Sequence, residues 1–152
     1  VWQMSYDEGL EIGYRHFDSA RIQPQFPFGY GLTYTNFELS DGKLSLSRSK
    51  NIVAKVSVTV KNTGDRAGSE VVQLYLHDVD ASVFRPDKEL KGFQKVYLEP
   101  GKSQKVEFEI KEEHLQFFDV ESNSWVAEKG KFDALIGSSS RDITFNLRFE
   151  LK

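Results

Sequence analysis

From Asn51 onward apolar and polar residues alternate with a period of two. Val56, Val58 and Val60 fall on one face, and Lys55, Ser57, Thr59 and Lys61 on the other, which predicts a half-buried strand. Asn62-Thr63-Gly64-Asp65 ends it with turn chemistry. Val72, Leu74 and Leu76 mark the next strand, over Glu70 to Asp78, which either pairs with the first or faces it across a core. After an irregular stretch, His77 to Lys88, comes an apolar-rich run from Leu90 to Leu98, closed by Pro100-Gly101. Val106, Phe108 and Ile110 form a further apolar face, as do Phe132, Ala134 and Ile136 after Phe117-Phe118 and Trp125. Gly137-Ser138-Ser139-Ser140 breaks that run before Ile143, Phe145, Leu147, Phe149 and Leu151 alternate to the end. Asp41-Gly42 adds a small hairpin between Phe37 and Leu46. About seven short strands without a long helix predict an all-β, immunoglobulin-like or fibronectin type III-like sandwich of two sheets.

The first thirty residues obey neither period. Trp2, Tyr6, Tyr14, Phe17, Phe26, Phe28 and Tyr30 are strung among Gly9, Gly13, Gly29 and Gly31, the pattern of an extended aromatic arm that must lie against something to hide its rings. The chain divides accordingly into 1–33, a linker arm, and 34–152, the sandwich.

Composition narrows the function. In 152 residues, 12 Phe and 6 Tyr supply ample apolar surface for one core. A net charge of -3 offers no attraction to a polyanion, so nucleic acid is set aside. No run approaches the ~18 apolar residues of a membrane helix, so no membrane partner is expected and a soluble domain is, with cytoplasm or exterior left open. There is no cysteine, no Asn-x-Ser/Thr sequon, and Val1 in place of Met suggests a cut or processed start.

No catalytic constellation emerges. Asp78 and Asp80 have strand-like i, i+2 spacing, but solvated loop acids are the commoner reading, and they lack the further oxygens of a calcium loop. Glu112-Glu113 reads as a solvated turn. His16, His77 and His114 lack ligand spacing, and Ser138 to Ser140 lie outside any nucleophile elbow. No catalytic residue, metal or cofactor is expected in this chain.

Three segments carry a specific likeness. The first is Tyr6-Asp7-Glu8-Gly9 through Gly13-Tyr14-Arg15-His16-Phe17-Asp18, then Phe26-Pro27-Phe28-Gly29-Tyr30-Gly31-Leu32-Thr33-Tyr34-Thr35. The second is Asn62-Thr63-Gly64 with Gly68 and Glu70-Val71-Val72-Gln73-Leu74-Tyr75. The third is Arg85-Pro86 with Lys88-Glu89-Leu90-Lys91-Gly92-Phe93, continuing to Leu98-Glu99-Pro100-Gly101. From about Tyr6 to Gly137 they resemble the C-terminal fibronectin type III-like domain, with its preceding linker, of family 3 glycoside hydrolases of the β-glucosidase type, which implies that 1–33 holds the C-terminal end of the preceding catalytic-region domain together with the linker arm. The resemblance implies a parent that hydrolyses terminal β-linked glucosyl residues with retention, through an Asp and a Glu elsewhere in the protein. The family's nucleophile stands in a Ser-Asp-Trp context; here Ser40-Asp41 is followed by Gly42, and catalysis is not transferred to Asp41.

On this reading the partners are the catalytic domains of the same parent and, through them, β-glucosides. The interdomain contacts expected are Tyr14, Arg15, Phe26, Phe28, Tyr30, Tyr34, Arg85, Lys91 and Phe93. The arm aromatics would plug the junction or stack on sugar, while Arg15, Arg85, Lys88 and Lys91 would pair with acids across it. The alternative is a free-standing immunoglobulin-like module that binds carbohydrate or protein.

Overall fold

The computed structural model describes residues 2–47, 49 and 51–152. Two antiparallel sheets face each other. One holds β1 (Phe37–Leu46), β2 (Ile52–Asn62) and β5 (Ser103–Lys111), with β2 central; β3 (Gly68–Asp78) and β4 (Glu89–Leu98) lie in the other. A short hairpin, β6 (Phe117–Asp119) with β7 (Ser124–Val126), then leads to β8 (Gly130–Gly137) and β9 (Ile143–Leu151). The second sheet has the order β4-β3-β8-β9. β2 and β3, consecutive in sequence, therefore face each other across the core rather than pairing.

The alternation read from the sequence decides which side of each strand is buried. Val56, Val58 and Val60 of β2, beside Val106, Phe108 and Ile110 of β5, meet Val72, Leu74 and Leu76 of β3 and Phe132, Ala134 and Ile136 of β8 in one cluster. Their branched and aromatic side chains suit a pleated, close-packed interior.

The Asn-Thr-Gly motif supplies a polar pin at one end of that core. Asn62 is buried, and its amide nitrogen donates to the carbonyls of Arg66 (2.7 Å) and Leu98 (2.9 Å). Its amide oxygen accepts from the Thr35 hydroxyl (2.7 Å) and the Gly64 N–H (3.0 Å). One satisfied side chain thus joins the residues leading into β1, the β2–β3 turn and the end of β4, where an unsatisfied one would cost ~1–3 kcal/mol.

Asp41-Gly42 does not form the expected hairpin. β1 runs through it, paired with β2 on both sides, and the register slips between Ser40 and Lys43. Asp41 takes a left-handed conformation (φ 55°), so the turn chemistry is spent on a β-bulge. The Gly42 position where a Cβ would project is filled by the Phe145 ring of β9, at 2.5 Å, closing the edge between the two sheets.

Candidate functional site: a latched arm and its exposed flank

The residues before β1 add a third layer. Gln73 and Tyr75 lie on the face of β3 opposite the core, yet both are buried. They are covered by a helix, α1 (Tyr14–Ser19), and the strap around Phe28. Six residues are too few to show a helical period, which is why no helix is legible there. The Tyr14 ring stacks on Phe28 (4.9 Å between centroids) and meets Tyr75 edge-on (5.8 Å), while its hydroxyl accepts the Leu90 N–H (2.8 Å). Burial, then the charges of Tyr14 and Asp18, push the Tyr75 phenol far above its ordinary range, so it stays a neutral donor, hydrogen-bonded to the Gln73 carbonyl. The Gln73 amide nitrogen donates to Ser138 O (2.6 Å) and, on the arm, to Gly29 O (3.3 Å). Gly29 has φ 80°, and the Gln73 amide occupies the space a Cβ would need, so the strap's close approach requires glycine.

Charge fastens the same layer. The Asp18 carboxylate, buried on α1, receives Lys88 at 2.6 Å and Arg141 at 2.9 Å. Arg141, from the loop after β8, also donates to the carbonyls of Phe17 and Ile22, each at 3.1 Å. The guanidinium thereby clips together the carbonyl of Phe17, in the helix, which also accepts the Ile22 N–H (2.9 Å), and that of Ile22, just beyond the helix. The neighbouring Ser140 N–H donates to Phe28 O (2.8 Å).

A second polar cluster gathers where α1, the loop after β3 and the start of β4 meet. Arg85 donates to Asp78 (3.1 Å), Glu89 (2.8 Å) and Leu115 O (2.8 Å), and Arg15 (3.2 Å) and Lys91 (3.5 Å) also face Glu89. Burial pushes the Glu89 carboxyl up, but the Arg85 hydrogen bond and the charges of Lys91, Arg85 and Arg15 outweigh it and hold it below the usual range. Burial also dominates at Asp78 and leaves its carboxyl raised despite Arg85. A raised and a lowered acid side by side is a pattern that glycosidases use. Here both carboxylates are engaged by one part-buried guanidinium, so neither presents a free acid to a substrate. Among the described residues no three His, Cys, Asp or Glu side chains converge as metal ligands.

The structure therefore distributes the expected contact residues unevenly. Tyr14, Arg15, Arg85 and Lys91 are engaged within the chain, and Lys88 joins arm to sandwich through Asp18. Phe28 has one face on Tyr14 and remains half exposed. Phe26 and Tyr30 stack on each other (5.7 Å) and are exposed, and Tyr34 and Phe93 stand alone in solvent. Ahead of α1, the side chains of Trp2, Met4, Tyr6, Leu10 and Ile12 are exposed as well.

One feature of this flank escaped the sequence. Phe84, Phe118 and Trp125 line a groove of ≈ 590 Å³ beside the Arg85 cluster. Phe118 meets Trp125 edge-on at 5.7 Å across the β6–β7 hairpin, and Trp125 is 65% exposed. Phe84 and Trp125 lie far apart in sequence, and the only signal was the density of aromatics on either side of a short acidic turn.

Comparison with known proteins fits this geometry. The sequence model of the fibronectin type III-like domain matches residues 70–140. Beta-glucosidase BoGH3A of Bacteroides ovatus is 49% identical over 97% of this chain, and thermostable beta-glucosidase B of Acetivibrio thermocellus is 49% identical over 93%. The chain spans only about a fifth of the length of these relatives (20% and 19%). Among solved structures, a beta-D-glucoside glucohydrolase from Trichoderma reesei superposes with a TM-score of 0.91 at 37% identity, over 98% of this chain and 23% of that one. A GH3 beta-glucosidase from Bifidobacterium adolescentis gives 0.91 at 36% identity, over 96% of this chain. Fold, family model and relatives agree that this chain belongs to the fibronectin type III-like domains of family 3 glycoside hydrolases.

Proposed function

We propose that the chain is the accessory structural domain of a β-glucosidase-type parent that hydrolyses terminal β-linked glucosyl residues. The reacting carboxyl groups come from catalytic domains elsewhere in that parent, and this domain stabilises them by covering apolar surface. The observation that carries the reading is the asymmetry of the arm. Its second half, from Tyr14 to Gly29, is built into the sandwich by the Asp18 and Gln73 contacts, whereas its first half projects Trp2, Met4, Tyr6 and Ile12 outward. Four large apolar side chains on a segment held at one end form a surface suited to a neighbour, each contributing about 1–2 kcal/mol on burial at ~25 cal/mol per Å².

The test uses the parent protein. Phe28→Ala should lower its melting temperature and leave its KM for an aryl β-glucoside unchanged, because Phe28 supports the arm without touching substrate. Unchanged melting with a much higher KM would overturn the assignment in favour of direct sugar contact.

A further inference from the structure

We propose that the groove between the β6–β7 hairpin and the loop around Phe84 is a secondary binding site for a neutral oligosaccharide of the parent's β-glucan type, separate from the catalytic centre. The inference rests on the parent reading above.

The walls of the groove have two characters. On one side Phe84, Phe118 and Trp125 offer exposed ring faces, and a pyranose ring presents flat C–H surfaces that lie against such faces. Trp125 is mounted on a hairpin whose pairs Phe117 to Val126 and Asp119 to Ser124 fix its position. The hairpin turn is itself tied down, since the Asp119 carboxylate accepts the N–H groups of Glu121 (3.2 Å) and Ser122 (3.1 Å). The rings are thus held ready rather than gathered on binding, which lowers the entropic cost of capture.

On the other side stand Arg15, Lys91 and Glu89, each partly accessible and already in mutual contact. With Arg85 and Asp119 they give the groove three cations and two carboxylates, and Asp78, buried behind the lining, pairs with Arg85. A wall of donors and acceptors in which Arg15, Arg85 and Lys91 are each already paired with a carboxylate complements a neutral polyol, which hydrogen-bonds to both kinds of group and carries no charge. The volume of ≈ 590 Å³ falls within the range of small-ligand sites, ~300–1,000 Å³.

The experiment uses the full-length parent with Trp125→Ala and Trp125→Phe, read by retardation in a native gel containing hydroxyethyl cellulose. It is paired with kcat/KM on an aryl β-glucoside and on cellohexaose. Trp125→Ala should lose retardation and about tenfold in kcat/KM on cellohexaose, the factor expected from one ring stack. The melting temperature and the aryl glucoside value should stay put, and Trp125→Phe should retain most of the binding. Equal retardation of wild type and Trp125→Ala would overturn the proposal. So would a lowered melting temperature with all substrates affected alike, which would mark the groove as a surface covered by the rest of the parent. If the wild-type parent does not hydrolyse the aryl glucoside, the parent reading fails, while the gel still reports on the groove.

Discussion

Asp18, on the arm, and Lys88, just ahead of β4, are 70 residues apart in sequence and 2.6 Å apart in the structure, in a contact almost closed to water. Because Arg141 approaches the same carboxylate at 2.9 Å, Asp18 is the one acid that neutralises both cations. Asp18→Asn should therefore loosen the arm as a unit. We expect a loss of about 1–3 kcal/mol, below the figure for a fully buried pair because Arg141 is partly exposed. Amide hydrogen exchange should speed up over residues 14–29 while the β2 and β8 amides keep their protection. Uniform exchange across the arm and the sandwich would show that the latch does not define a separate layer.

Gly29 offers an independent way into the same layer. A methyl group there would meet the Gln73 amide and would also strain a backbone at φ 80°. Gly29→Ala should lower the melting temperature, by roughly 1–3 kcal/mol of stability, and accelerate exchange of the arm amides. Gly31 is the control, since a Cβ added there meets nothing within 4 Å. Gly31→Ala should be close to neutral, and equal effects of the two substitutions would refute the close-approach explanation.

The sandwich was legible because its information is local: a strand such as β2 states in its own alternation which side faces the core. The third layer was not. Gln73 and Tyr75 occupy the nominally polar face of β3, and what buries them is a segment some fifty residues earlier whose aromatics have no period of their own. The cations at Arg15, Arg85, Lys88 and Lys91 were recognisable as ion-pair formers, but not their partners, because Asp18, Asp78 and Glu89 are brought to them by tertiary packing. Asp41-Gly42 shows the opposite failure, a local signal that tertiary pairing redirected from a hairpin into a bulge.

Asp133 gives a pH dependence with a definite sign. The Arg148 hydrogen bond (2.7 Å), helped by Asn146 and the charges of Arg148 and His77, outweighs burial and holds its carboxyl below the usual range. A carboxyl lowered in the folded state stabilises the fold above its unfolded pKa of about 4, and that contribution is lost as pH falls through the lowered value. Asp133→Asn should cost about 1 kcal/mol at pH 7, modest because Arg148 is well exposed, and less at pH 2, below the unfolded pKa. Denaturant unfolding at both pH values checks this. A cost that does not shrink on acidification would assign the role of Asp133 to packing instead of charge.

The contact between Gly42 and Phe145 makes a claim about how the sandwich closes. β1 and β9 are edge strands of opposite sheets, and the ring fills the space left by the missing side chain. Gly42→Val should destabilise the domain by about 1–3 kcal/mol through overpacking. If steric exclusion is the cause, shrinking the ring must relieve it. Phe145→Ala alone should also destabilise, by opening a void, yet the double variant should be more stable than the sum of the two losses predicts, by at least about 0.5 kcal/mol. Denaturant unfolding of the four proteins closes the cycle. Strict additivity would mean that the valine fails for another reason, such as the backbone of the bulge beside Asp41, and that Phe145 does not select glycine at this position.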